Sequence, residues 1–220
     1  MALYYRKRFE NGQEIVVWEI TEREEELIEI ISQEGHKTEA FNQTSNLRRR
    51  LEQMAVRALL DRLFTPQTRV CYQESGKPLL ENKGNSLENK VPALSIAHTR
   101  RFAVVLTAPG EKAGIDVECF LRDFTPVEKK ALHFSENMFL SDDPRERKKQ
   151  LALIWCAKEA MFKYMSRDEV DFSKQMSVAP FVPKDKGTLQ GSFQTRDGAT
   201  TSLSLSYRKL EDHFMVWVCG

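Results

Sequence analysis

Apolar positions fall into short alternating runs and longer helical stripes, and their order predicts the elements. Gln13 to Ile20, built on Ile15, Val17 and the bulky Val16 and Trp18, predicts a strand. From Thr21 the spacing changes. Leu27, Ile28, Ile30 and Ile31 supply the buried side of an acidic helix, Thr21 and Glu24 stand at capping-box distance, and Gly35 ends it. Between Ser45 and Phe64, Leu47, Leu51, Met54, Ala55, Ala58, Leu59 and Leu63 make a helical stripe, and Arg48, Arg49, Arg50, Arg57 and Arg62 decorate the rest. Pro66 closes that helix. Short strands follow at Arg69 to Gln73, Ala93 to Ala97 and Phe102 to Thr107, with the polar, Asn-rich stretch from Glu81 to Lys90 as an exposed loop.

Pro109-Gly110 is the strongest break, at the middle of the chain. Beyond it come a strand from Ala113 to Val117 and a helix opened by Thr125-Pro126-Val127-Glu128, which combines capping-box spacing with proline at the first helical position. The charged run Ser141 to Lys149 leads a long helix, Arg145 to Met165. Strands at Gly191 to Thr195, Ser202 to Tyr207 and Phe214 to Cys219 close the chain. The pattern is α+β: a first half, 1–110, and a second, 111–220, each with helices packed on a small, mostly antiparallel sheet.

Composition narrows the class. The 220 residues carry 33 basic and 32 acidic side chains, a net charge of +1, which gives no overall pull toward nucleic acid. The arginine helix keeps that binding open as a weaker reading, against which the acidic helix before it argues. No apolar run approaches the roughly 20 residues of a membrane helix. The charged start MALYYRKRFENG does not suit a signal peptide, and Cys71, Cys119, Cys156 and Cys219 lie far apart, as reduced thiols of a cytoplasmic protein do.

Five pieces carry candidate chemistry. In Gly114-Ile115-Asp116-Val117-Glu118 a strand puts both carboxylates on one face, where they repel unless a cation intervenes. Mg²⁺, which takes oxygen ligands, suits them, although Asp-X-Glu is so common that this piece alone favours a solvated strand end. In Trp155-Cys156-Ala157-Lys158-Glu159-Ala160-Met161-Phe162-Lys163, Glu159 and Lys163 share a helix face with Trp155 one turn earlier; alone, this is an ordinary Glu–Lys pair worth about 0.2–0.5 kcal/mol. The others are the Gly76-Lys77-Pro78 turn, Ser95-Ile96-Ala97-His98-Thr99 at a strand end, and the basic helix around Arg48 and Arg57.

Their succession resembles that of the 4′-phosphopantetheinyl transferases, most closely the longer, two-halved surfactin-synthetase-activator type. The resemblance runs from about Arg48 to Lys163, with GIDVE and WCAKEAMFK its specific parts. It implies two similar subdomains related by a pseudo-twofold, acting as a monomer with coenzyme A held in a cleft. It also implies Mg-dependent transfer of the phosphopantetheine arm of coenzyme A to a serine of an apo acyl or peptidyl carrier protein, of the holo-acyl-carrier-protein synthase type, releasing adenosine 3′,5′-bisphosphate. By the resemblance, Asp116, Glu118 and Glu159 bind the metal, and Glu159 also activates the serine. Lys163 contacts the coenzyme A phosphates, Lys77 and His98 also contact coenzyme A, and Arg48 lies near its 3′-phosphate.

Two positions depart from the pattern: Ala97 stands where a serine precedes the histidine, with Ser95 or Thr99 as replacements, and Cys156 stands for a serine. His36 and Lys37 are the upstream candidates for the 3′-phosphate. Arg122, Lys129, Lys130 and Arg145 to Lys149 make a candidate carrier-docking patch, and a plain solvated face is the alternative. Phe120, Leu121, Phe124, Phe134, Met138 and Phe139 divide between core and docking surface. The competing reading of the whole is a non-catalytic module that binds coenzyme A or a carrier protein.

Overall fold

The computed structural model describes residues 2–33, 38, 41, 43–65, 68–74, 76–82, 91–110, 112–166 and 169–220. The chain forms two compact units, 1–111 with Gly220, and 112–219. It is α+β, and its sheets are antiparallel.

The first unit begins with strands β1 (Ala2–Arg8) and β2 (Glu14–Glu19), helices α1 (Glu24–Gln33) and α2 (Leu47–Leu63), and a hairpin of β3 (Thr68–Tyr72) and β4 (Pro78–Asn82). Strands β5 (Ala93–His98) and β6 (Phe102–Ala108) complete a sheet of order β1-β2-β6-β5. Helix α2 starts at Asn46, whose side chain accepts from Arg49 N, and it lays Met54, Ala55, Ala58 and Leu59 against Val16, Trp18, Ala103 and Val105.

Several local expectations need correcting. Ile15 to Trp18 are all buried, so β2 is covered on both faces and its pattern is a continuous apolar run. Helix α1 starts three residues later than expected, with Arg23 N donating to Glu26 (2.7 Å), and Ile28 is exposed while Leu27 and Ile31 fill the core. Glu81 and Asn82 belong to β4; the rest of the expected loop, with Gly35, Pro66, His36 and Lys37, lies outside the described residues.

In the second unit, β7 (Ala113–Cys119) is followed by α3 (Thr125–Lys130), α4 (Phe134–Asn137), α5 (Pro144–Met165) and α6 (Phe172–Gln175). Strands β8 (Met176–Val178), β9 (Lys186–Gln194), β10 (Thr200–Leu210) and β11 (His213–Cys219) close it. The sheet order is β7-β11-β10-β9-β8, so β7 is an edge strand. Helix α3 has Pro126 near its start, but its N-cap is Phe124 and no side chain caps it; Asp123 Oδ1 accepts from Thr125 N instead (2.9 Å).

Helix α5 has stronger start signals: Asp143 Oδ1 accepts from Arg145 N (3.0 Å) and Glu146 N (2.9 Å), and Pro144 opens the first turn. The helix buries Leu151, Leu153, Ala157 and Ala160 among residues that include Phe193, Leu205, Phe214 and Val216. Its approach to β7 depends on Gly114. A Cβ there would collide with the carbonyl oxygen of Ala160, so no other residue permits the same contact.

Candidate active site

Strand β7 and helix α5 build one cluster in the second unit. Period two along β7 puts Asp116 and Glu118 on the same face, and side chains of α5 meet both of them. Lys163 Nζ donates to Asp116 Oδ1 (2.9 Å) and to Ile115 O (2.9 Å). Trp155 Nε1 donates to Glu118 Oε1 (2.9 Å), while Arg122 Nε pairs with Glu118 Oε2 (3.2 Å). Glu159 lies on α5 one turn from both Trp155 and Lys163, half-buried.

The electrostatics are unbalanced. Burial, then the Asp116 charge, raise the Glu118 carboxyl to about 7 against the opposing pull of Arg122 and the Trp155 N–H. Glu159 is likewise raised to about 7, by burial and by Asp116, with Lys163 and Arg122 opposing. Burial works against the charge of Lys163, but Asp116 and Glu159 outweigh it and raise its pKa. Cys156 is fully buried beside this group, donates to Phe214 O (3.5 Å), and has its thiol pKa pushed up chiefly by desolvation and then by Asp116. Three carboxylates therefore share two cations in a low-dielectric place.

One atom fits an added cation. Asp116 is 8% exposed, and its Oδ2 is buried without a hydrogen-bond partner, a costly state for a carboxylate oxygen. A hard divalent ion suits all-oxygen donors, an orphaned carboxylate oxygen and two carboxyls short of positive charge.

The remaining expected residues lie in the first unit. Arg48, in the first turn of α2, and His98, at the end of β5, converge on Glu52: Arg48 Nε is 3.6 Å from Oε1 and His98 Nδ1 is 3.1 Å from Oε2. Arg48 and Glu52 also line a cavity of about 660 Å³ with Thr21, Glu22 and Arg100. Arg100 was not anticipated; nothing in its spacing places it beside Arg48. Lys77 stands in the β3–β4 turn, where Gln73 N donates to its carbonyl (2.9 Å) and Gly76 adopts φ +80°. Ala97 is buried, as is Ser95, and Thr99 Oγ1 is engaged by the N–H groups of Arg101 (3.3 Å) and Phe102 (3.2 Å).

Residues 112–216 match the 4′-phosphopantetheinyl transferase superfamily. The matched stretch contains Asp116, Glu118, Glu159 and Lys163, whereas Arg48, Lys77 and His98 precede it. The match supports phosphopantetheine transfer in general, with coenzyme A and a carrier protein as the reaction's partners. The comparison with curated proteins gives no match.

One contributor to the cluster escapes sequence reasoning, and the partner of another does. Arg122, expected in a docking patch, turns its guanidinium to Glu118, a pairing made by the turn after β7 that no periodicity reveals. Trp155 has a helical spacing that places it near Glu159, but its indole N–H is committed to Glu118. Of the six apolar residues after β7, Phe124, Phe120 and Phe139 join the core, while Leu121, Phe134 and Met138 are 64%, 78% and 86% exposed.

Proposed function

We propose that the protein transfers the 4′-phosphopantetheine arm of coenzyme A to a serine hydroxyl of an apo acyl or peptidyl carrier protein, with Mg²⁺, and releases adenosine 3′,5′-bisphosphate. The observation that carries the proposal is the β7–α5 cluster: a partnerless buried oxygen on Asp116, two carboxyls raised to about 7, and a lysine beside them.

The serine oxygen forms a bond to the phosphorus that bears pantetheine. The bond from that phosphorus to the bridging oxygen breaks, and the adenosine bisphosphate leaves with the electron pair. Glu159 accepts the serine proton, a contribution typically of about 10²–10⁴-fold. Lys163 brings positive charge to the phosphate oxygens, since such reactions depend mainly on positioning and electrostatics. Asp116, Glu118 and Glu159 would hold the divalent cation, whose charge offsets that of the pyrophosphate. Trp155 and Arg122 keep Glu118 oriented.

Arg48 and Arg100 suit the 3′-phosphate because a guanidinium binds two oxygens at once, and Lys77 and His98 suit the remaining coenzyme A contacts. An acidic carrier would meet Lys129, Lys130, Arg145 and Lys148, all exposed, beside the exposed apolar Phe134 and Met138. Among the described residues no helix is long and apolar enough to cross a membrane. The reading is of a monomer working in the cytoplasm.

The test is intact-mass measurement of an apo carrier protein after incubation with the protein, coenzyme A and Mg²⁺. A gain of one phosphopantetheine, lost with EDTA, is expected. No gain on several unrelated carriers, with coenzyme A still bound, would leave a binding module in its place.

A further inference from the structure

One charged residue of the α5 motif takes no part in the carboxylate cluster. Lys158, next to Glu159, is fully buried and pairs at 2.7 Å with Glu136, whose side chain is also 0% exposed. Its ammonium donates to Glu136 Oε2 (2.7 Å), Ala131 O (2.7 Å) and Phe172 O (3.1 Å), which uses all three protons. Glu136 is equally committed: Oε1 accepts from Val178 N (2.8 Å), and Oε2 accepts from His133 N (2.7 Å) as well as from Lys158. Two side chains thereby tie α5 to the turn before α4, to α6 and to β8.

Replacing a buried ion pair by apolar residues is often neutral or stabilising, so packing alone does not account for this one. Its geometry supplies another role. Successive residues of an α-helix point about 100° apart, so anchoring Lys158 on one side fixes the direction of Glu159 on another. Gly114 sets how closely α5 approaches β7; the Lys158 anchor sets how α5 is turned.

We propose that Lys158 and Glu136 are a positioning pair that fixes the axial rotation of α5 and so keeps Glu159 and Lys163 aimed at Asp116. Lys158 touches no substrate and acts through its neighbour. The functional part rests on the reading of Glu159 as a residue of the transfer site.

The test uses the full chain with Lys158→Met and, as a milder change that keeps an oxygen for Val178 N, Glu136→Gln. The first readout is the indole N–H resonance of Trp155 by NMR, assigned with Trp155→Phe, because that group bonds Glu118 whether or not transfer occurs. The second is kcat and KM for coenzyme A, at a temperature where circular dichroism shows the variant folded. The resonance is expected to leave its wild-type position, and kcat to fall roughly 10–100-fold with KM nearly unchanged, as misplaced catalytic groups cause. Glu136→Gln moves both readouts the same way by less, and it decides the matter if Lys158→Met does not fold. A folded variant with both readouts unmoved would overturn the proposal and leave the pair a stability element. A shifted resonance in a protein whose wild type transfers nothing would sink the transfer reading while upholding the rotation anchor.

Discussion

Lys163 on α5 and Asp116 on β7, 47 residues apart, are joined by a 2.9 Å ion pair. The pair satisfies one oxygen of Asp116 and leaves the other buried and partnerless. A lysine placed to neutralise the whole cluster would not do this. With two cations against three carboxylates the cluster is only partly neutralised, which suits an added cation.

Glu159→Gln keeps the volume of the side chain and removes its charge. Melting temperature is expected to stay at or slightly above that of the parent, because a like charge leaves a buried cluster. Transfer measured by carrier mass should fall by about 10²–10⁴-fold, the range of a lost general base. Near-parental turnover would remove Glu159 from the mechanism.

Stability should depend on pH in a direction set by the raised carboxyls. Glu118 and Glu159 titrate at about 7 in the fold against 4.5 ordinarily, raised by burial first and by Asp116 second. The folded state thus holds these protons more tightly than the unfolded chain. Their contribution to stability is fully present below about 4.5 and is lost as pH rises through about 7. Each shift taken alone corresponds to about 3 kcal/mol. Calorimetry of EDTA-treated protein should show melting fall between about pH 5 and pH 8, with Mg²⁺ restoring more at the higher value, since metal binding needs the protons gone. A metal effect of equal size at both values would contradict this.

Gly114→Ala would drive a methyl into Ala160's carbonyl. Overpacking of this kind costs about 1–3 kcal/mol, and because it pushes α5 off β7, transfer should suffer even where the protein stays folded. Denaturant melts paired with activity would show it; a variant with parental stability would mean that α5 is not held so close.

Arg48→Ala should weaken coenzyme A binding by roughly 10–100-fold, the worth of a charge-assisted hydrogen bond of about 1.5–3 kcal/mol. It should leave binding of the 3′-dephospho form unchanged. Calorimetric titration with both ligands checks this. An equal loss for both would move the 3′-phosphate away from Arg48.

The sequence made the cluster legible because its geometry is local: period two puts Asp116 beside Glu118, and a spacing of four puts Glu159 beside Lys163. Helix α5 was equally plain from the charged run that leads it, within one residue of its observed start, although the Asp143 cap emerges only from the structure. What stayed hidden depends on distant chain. Strand β1 carries Arg6, Lys7 and Arg8 and pairs at a sheet edge, where charge suits it but hides it from an apolar pattern. Strand β8 is three residues long. Lys158 shares the helical stripe of Leu151, Ile154 and Met161, but its partner Glu136, 22 residues earlier, is not legible from that spacing.

The central claim is that Asp116, Glu118 and Glu159 hold one divalent cation. The most direct measurement is Mn²⁺ binding by electron paramagnetic resonance, with coenzyme A present, on the parent and on Asp116→Asn. One equivalent bound by the parent, and binding at least about tenfold weaker in the variant, a loss of about 1.4 kcal/mol, is the predicted result. Identical binding by the two proteins, or none by the parent, would contradict the account.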